Sequence, residues 1–179
     1  DDVLNLSGLT YTGGSFALGT GTDTIAVTGT SSVTTALTIT GAEKVTMAAD
    51  TDFTVSEGTA ANFVAVDGFT IAGDGSDSDK EHFFVRNASA ALSTLDISGL
   101  TYTNIDSTTV ELDHPSDNLK TPNTISDTFD YTGAFTDFTS ATKIDGGSGG
   151  NDVLDINSST AMSIAAGTIV GIETLDLIS

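Results

Sequence analysis

Apolar and polar residues alternate along much of this chain, in short runs separated by glycine, aspartate, serine and asparagine. Ile25 and Val27 alternate with polar neighbours, and Leu175 and Leu177 repeat the pattern. A period of two is typical of strands with one buried face. The runs are about five residues long and return about every eight to twelve residues, which favours an all-β protein with many short strands. For residues 57–63 we expect a single helical turn.

One internal repeat joins two distant parts of the chain. Leu4–Thr12 and Leu95–Thr103 are identical at seven of nine positions. Both copies end in the same Leu-Thr-Tyr-Thr sequence. Repeats of this kind indicate one supersecondary unit that is used several times.

A second repeat has a regular spacing. The pattern Gly-x-Asp-x-apolar-x-apolar is followed by Gly-x-Glu-x-apolar-x-apolar, so that Gly41 comes eighteen residues after Asp23 and Gly171 nineteen residues after Asp152. Repetition with few hairpin-type turn sequences favours a β-solenoid-like stack of short strands with Gly/Asp calcium loops. A β-sandwich is the alternative fold.

The repeats and the prolines suggest three parts. Residues 1–103 form an N-terminal β-repeat lobe, 104–128 an irregular linker, and 129–179 a C-terminal β-repeat with a glycine-rich loop. The linker holds Pro115 and Pro122, and proline is unfavourable in central strands because it cannot donate a ladder hydrogen bond. The chain opens within a strand-like motif, as we expect of a fragment or a processed chain.

The charge balance changes this picture most. The chain has 25 acidic and 5 basic residues, a formal net charge of −20, and no cysteine. Such a charge repels nucleic acid and anionic membrane surfaces and attracts cations. Without cysteine there are no disulfides or thiolate metal sites, and no apolar run reaches the length of a membrane span. Bound divalent cations would neutralise the acids; a highly soluble acidic surface is the alternative explanation.

A glycine-rich run between Asp145 and Leu154 carries the main candidate chemistry. Successive glycines let the backbone turn so that carbonyl groups face inward, and the aspartates add carboxylates. Calcium takes about six to eight oxygen ligands of these two kinds. The candidate calcium ligands here are Asp145, Gly147, Gly149 and Asp152. A tight glycine turn before a strand is the structural alternative.

Two weaker candidate sites follow the same chemistry. Residues 19–25 form a looser Gly-x-Gly-x-Asp run, which adds Asp23. Residues 73–81 are the densest acidic cluster, although no EF-hand register fits them. This cluster adds the carboxylates of Asp74, Asp77 and Asp79, for which a solvated acidic turn is the alternative.

Catalytic motifs lack the context that they need. Residues 146–150 match Gly-x-Ser-x-Gly, but a nucleophile elbow requires a helix after the serine, and here a strand is predicted. His82 and His114 have no His-x-x-x-His partner, and there is no P-loop or dinucleotide fingerprint. We therefore expect that this chain is not an enzyme.

The run Gly-Gly-Ser-Gly-Gly-Asn-Asp-Val-Leu-Asp-Ile (146–156), with Gly-Ile-Glu-Thr-Leu-Asp-Leu (171–177), resembles the repeats of bacterial S-layer proteins and large RTX-type adhesins. It departs from the RTX nonapeptide by one extra glycine, and its copies are not in tandem. The resemblance implies an exported protein that uses calcium to fold and assemble in β-solenoid rungs. By motif position it implies Asp23, Asp152 and the neighbouring glycine carbonyls as ligands.

Together these observations predict a secreted, extracellular module that uses Ca²⁺ and serves a structural or assembly role in a bacterial surface layer, filament or adhesin. Its expected partners are identical subunits or neighbouring repeats, with a cell-surface glycan as a further candidate. The alternative function is a carbohydrate-binding module on a β-sandwich. The absence of tryptophan argues against that alternative, because sugar-binding platforms usually need exposed tryptophan or paired tyrosines.

Overall fold

A computed structural model describes residues 1–34, 36–76, 81–86, 94–112, 117–121, 125–132, 137–138, 142–157, 163–164 and 168–178. These residues form one helix, α1 (Glu57–Val64), and short strands. The strands are β1 (Val3–Ser7), β2 (Thr10–Tyr11), β3 (Gly14–Ala17), β4 (Thr24–Gly29), β5 (Ser31–Val33), β6 (Leu37–Thr40), β7 (Lys44–Met47), β8 (Asp52–Ser56), β9 (Thr70–Ala72), β10 (His82–Arg86), β11 (Thr94–Asp96), β12 (Thr101–Thr103), β13 (Ser107–Leu112), β14 (Asn118–Lys120), β15 (Ser126–Thr132), β16 (Asp137–Phe138), β17 (Lys143–Asp145), β18 (Val153–Asn157), β19 (Ser163–Ile164), β20 (Thr168–Val170) and β21 (Thr174–Ile178).

The strands pair in parallel and are arranged as a β-solenoid, which confirms the predicted fold class in place of the sandwich. Consecutive strands of the chain belong to different sheets, so each strand meets its partner about one turn later. Thr24 of β4, for example, pairs with Val3 of β1 and with Lys44 of β7. The separation of about twenty residues in the second sequence repeat is therefore the length of one solenoid turn.

The chain divides into two compact units that are not continuous in sequence. Unit 1 comprises Asp1–Arg86 and Gly99–Ser107, and unit 2 comprises Asn87–Ser98 and Thr108–Ser179. The interval 104–128, predicted to be irregular, contains β13, β14 and the start of β15. Both prolines of that interval lie outside the described residues.

Unit 1 contains two main sheets and a small one. Their strand orders are β1-β4-β7-β9-β12, β2-β5-β8-β10 and β3-β6. The inward residues of successive turns stack on one another, as Phe53 of β8 does on Phe83 of β10, with ring centroids 6.2 Å apart. Both rings are fully buried, and each such side chain contributes about 1.5–3 kcal/mol.

Unit 2 is built in the same way. Its sheets have the orders β11-β14-β17-β20, β13-β15-β18-β21 and β16-β19. Phe129 and Tyr131 of β15 stack on Leu154 and Ile156 of β18, and all four side chains are buried. The outward positions between them are only half-buried, as the period of two predicts.

The helix is longer than the single turn that we predicted from the sequence, so that prediction was wrong. The Oγ atom of Ser56 caps its first turn by accepting a hydrogen bond from the backbone N–H of Thr59 at 3.3 Å. Phe63 stacks on Phe69 with ring centroids 4.5 Å apart, and both rings are buried. Because this packing anchors the apolar face, the segment continues for eight residues. No helix in the described part of the chain is long and apolar enough to cross a membrane.

Candidate metal site

An acidic side chain stands at the start of three successive turns in unit 1. Asp2, Asp23 and Glu43 each come directly before a strand, and the parallel register places them one above another. The backbone N–H of Asp2 donates to Oδ1 of Asp23 at 2.6 Å, and the N–H of Asp23 donates to Oε2 of Glu43 at 2.6 Å. We call these three residues the unit 1 acid corner.

The same arrangement recurs in unit 2 with Asp127, Asp152 and Glu173, which we call the unit 2 acid corner. The N–H of Asp127 donates to Oδ1 of Asp152 at 2.9 Å, and the N–H of Asp152 donates to Oε2 of Glu173 at 2.8 Å. In both corners the backbone N–H of the glutamate returns a bond to the carbonyl of the middle aspartate, at 3.0 Å. The second sequence repeat therefore encodes one structural motif that is used twice.

These bonds have a simple physical cause. Where the chain bends into a strand, the first N–H has no carbonyl partner on the adjacent turn, and a buried N–H without a partner is costly. A carboxylate from the adjacent turn supplies a strong, charge-assisted acceptor. A related pair in unit 1 has the glutamate as the donor and the aspartate as the acceptor: the backbone N–H of Glu81 donates to Oδ2 of Asp106 at 3.2 Å.

Burial makes the acid corners electrostatically unusual. The side chains of Asp23, Asp127 and Asp152 are at most 1% exposed. The pKa of Asp127 is raised to about 7: burial raises it most and the charge of Asp152 adds to the rise, while the hydroxyl groups of Thr121 and Thr108 act against it. Burial and the charge of Glu173 also raise the pKa of Asp152, against the lowering effect of its bond from the Asp127 backbone. Among the described residues, no cationic side chain contributes to the pKa shifts of Asp127 and Asp152, whereas the N-terminal ammonium group of Asp1 lies 3.7 Å from Oδ1 of Asp23.

The predicted glycine-rich loop lies against the unit 2 acid corner. Gly147 adopts a φ of 90°, and its N–H donates to Oδ1 of Asp145 at 3.1 Å. A Cβ atom on Gly146 would lie 2.7 Å from Oδ2 of Asp152, and one on Gly171 would lie 2.2 Å from the carbonyl oxygen of Gly147. The glycines therefore let the backbone segments at Gly147 and Gly171 pack closely beside Asp152. This is a structural role, of the kind that the sequence analysis gave as the alternative to calcium binding.

The other predicted ligands are distributed differently. Asp23 belongs to the unit 1 acid corner, and Gly149 is a half-buried residue of the loop between β17 and β18. Asp74 is exposed, and its Oδ1 accepts from the N–H of Ser76 at 2.9 Å. Asp77 and Asp79 lie outside the described residues.

The donor chemistry of the acid corners suits a hard cation, since every side-chain donor is an oxygen. Oδ2 of Asp23 and both carboxylate oxygens of Asp127 are buried, and none of them has a hydrogen-bond partner among the residues that the structure describes. On the other hand, no three histidine, cysteine or acidic side chains converge on one point within the described residues. The sites proposed from sequence thus stay predictions, and any ion here would need hydroxyl and carbonyl oxygens as well.

Sequence reasoning missed several acids that the structure groups. Glu43 and Glu173 belong to the second sequence repeat but were not predicted as metal ligands. Their regular spacing from Asp23 and Asp152 could have identified them. Asp127 has no glycines before it, so nothing in its neighbourhood distinguished it. Only the strand register shows that it neighbours Asp152: Thr128 pairs with Val153, so the residues that precede them lie side by side.

A second acidic stack lies on the outward face of unit 2. Asp130, Asp155 and Asp176 occupy paired positions on β15, β18 and β21. Paired residues on neighbouring strands are about 5 Å apart, so like charges repel. Partial burial raises the pKa of Asp130 and of Asp155, and each is raised further by the next carboxylate in the stack. We call these residues the aspartate ladder.

Comparisons with protein-family models, with curated proteins and with solved structures found no match to this chain. The resemblance to S-layer and RTX-type repeats therefore rests on the motifs in residues 145–177 and stays a prediction.

Proposed function

We propose that this chain is a calcium-dependent structural module of an extracellular bacterial assembly, such as a surface layer, filament or adhesin, and that it has no catalytic role. In this proposal calcium is a structural component that holds adjacent solenoid turns together. The solenoid supplies stacked, repeated surfaces, and the cation supplies positive charge to balance the many acidic residues.

The observation that carries this proposal is the repeated acid corner. Two copies of the same motif bring carboxylates of adjacent turns together in a chain with a net charge of −20, and three of these carboxylates, Asp23, Asp127 and Asp152, are buried. Leaving such charges buried and uncompensated is costly, whereas a bound dication would offset two of them. A protein that uses this motif twice would gain stability wherever calcium is abundant, as it is outside cells.

Self-association is the second part of the proposal. Leu175 and Leu177 on the edge strand β21 are 51% and 65% exposed, and Val3 on the edge strand β1 is 61% exposed. Edge strands with apolar side chains tend to pair with another strand. We propose that identical subunits or neighbouring repeats use these edges, which suits a role in assembly. The expected glycan partner has no specific observation in its favour.

The carbohydrate-binding alternative was tied to a β-sandwich, and the sheets instead form a parallel solenoid. That alternative therefore loses its structural premise, and we do not carry it further.

Calcium should raise the melting temperature of the chain by several degrees. A ligand that binds only the folded state stabilises it by about 2.7 kcal/mol at a hundredfold excess over Kd, and extracellular calcium modules bind at about 10⁻⁴–10⁻³ M. The measurement compares thermal unfolding in millimolar calcium and in chelator, at matched ionic strength. Magnesium is the control for general charge screening. Identical melting curves under all three conditions would overturn the proposal.

A further inference from the structure

We infer that unit 2 contains an internal calcium site formed by the carboxylates of Asp127 and Asp152 with the hydroxyl groups of Thr108 and Thr121. This inference rests on the proposed calcium dependence and names where one ion binds. It differs from the loop site predicted from sequence, because its central ligand is Asp127 and its further donors are side-chain hydroxyls.

The first support is the position of Asp127. It lies on the inward face of β15, on the side that also buries Phe129 and Tyr131, and its own exposure is 0%. Inward positions of a solenoid normally hold apolar side chains, and a carboxylate there requires a compensating group. Within the described part of the chain, neither of its oxygens has a hydrogen-bond partner.

The second support is the set of groups that surround it. Thr121 and Thr108 are also fully buried, and their hydroxyls lie near enough to influence the Asp127 carboxyl. In the described ranges, Oγ1 of Thr108 has no hydrogen-bond partner either. The backbone N–H of Asp127 donates to Oδ1 of Asp152, which holds the second carboxylate against the backbone of Asp127. Buried oxygens from different segments of unit 2 therefore lie near Asp127, and those of Asp127 and Thr108 are without a hydrogen-bond partner among the described residues.

The charge and the oxygen donors of these four side chains favour calcium as the bound ion. Two carboxylates carry the charge that one dication neutralises, and an all-oxygen donor set suits calcium in preference to zinc or copper. No cationic side chain is among the groups that influence Asp127.

The test uses two conservative variants of the full chain. In Asp127→Asn, one carboxylate charge is lost at nearly constant shape, so we expect the variant to bind one calcium ion fewer per chain by calorimetric titration. In Thr108→Val, the unpartnered hydroxyl is removed isosterically, so we expect a metal-free melting temperature at or above that of the original chain and a several-fold weaker calcium affinity. Asp96→Asn is the matched control, because Asp96 is an exposed aspartate of unit 2.

The outcomes separate this site from the proposed function. If the original chain binds calcium and both variants bind it with unchanged number and affinity, the internal site is refuted while calcium dependence stands. If the original chain shows no calcium binding or stabilisation, both are refuted. Should Asp127→Asn fail to fold, Thr108→Val decides alone: unaltered calcium affinity in that variant refutes the site.

Discussion

At the scale of single residues, the glycines and the buried acids of unit 2 depend on each other. Gly171 has a φ of 65°, a region that residues with a side chain rarely adopt, and it packs against the backbone of Gly147. This close contact lets the loop approach Asp152. Glycine here is therefore required by space and by backbone conformation together.

Gly171→Ala should destabilise the chain by about 1–3 kcal/mol, because the new Cβ would lie 2.2 Å from the carbonyl oxygen of Gly147 on a backbone with positive φ. Gly58→Ala is the matched control. Gly58 lies in α1 with open space around it, so alanine there should stabilise by about 0.5–1 kcal/mol. Thermal and urea unfolding of both variants measure the effect, and equal effects of the same sign would contradict this account.

At the scale of strands, the aspartate ladder shows what parallel, in-register stacking does to charge. A solenoid pairs equivalent positions of successive turns, so a sequence that repeats an outward aspartate repeats its charge about every 5 Å. Asp130, Asp155 and Asp176 are such a series. Threonine or asparagine at the same positions would have formed a neutral ladder instead.

The ladder predicts a fall in stability as the pH rises. The folded-state pKa values of Asp130 and Asp155 are raised above the ordinary value of 3.8, so above that value the folded chain holds protons that the unfolded chain has lost. The contribution of the ladder to stability should therefore decline from about pH 4 upward until both groups are ionised in the folded state, and Asp127, with its pKa raised to about 7, adds a further decline up to neutral pH. We expect Asp155→Asn to weaken this decline and to stabilise the chain at neutral pH by about 0.2–1 kcal/mol, because it removes a like charge between two others.

Melting temperatures of the original chain and of Asp155→Asn across this pH range, in chelator, check the prediction. Asp96→Asn, which lies outside the ladder, should keep the original pH dependence. Parallel curves for the original chain and Asp155→Asn would show that ladder repulsion is negligible.

At the scale of the whole molecule, two features matter: the net charge of −20 and the apolar side chains on edge strands. Charge of one sign keeps molecules apart, and screening or binding of cations removes that barrier. Calcium would then stabilise the fold and also favour association of molecules through their apolar edge strands. Assembly and stability should therefore respond to calcium in the same direction.

Leu177→Lys should weaken self-association in millimolar calcium, because Leu177 is 65% exposed on β21 and a lysine there opposes burial of that edge. Thr174→Lys is the control, since it adds the same charge to an exposed position of the same strand. Sedimentation velocity over a range of concentrations measures the effect. Unchanged association of Leu177→Lys, or an equal loss in the control, would argue against this edge as the contact surface.

The pattern of the sequence was sufficient for many of the strands and, with the repeats, for the type of fold, but not for β13 and β14, which lie in the interval predicted to be irregular. Alternation as in Ile25 and Val27 predicts strands, because a strand turns successive side chains to opposite faces. The recurrence from Asp23 to Glu43 and from Asp152 to Glu173 predicts stacked turns, because equivalent residues of a solenoid return after each turn. The length of α1 could not be predicted, since it depends on how the helix packs on strands β6 and β10.

The sequence by itself determined that the chain forms short, repeated strands, carries a large negative charge and places glycine beside aspartate at its turns. Only the tertiary structure decided which carboxylates are buried and which stand together. Asp127 and Asp130 face opposite sides of β15, as strand residues three apart do, but which carboxylates lie next to them is set by the pairing with β18. The physical reason is that a carboxylate's surroundings come from the turns above and below it, and strand register, a long-range property, sets those neighbours.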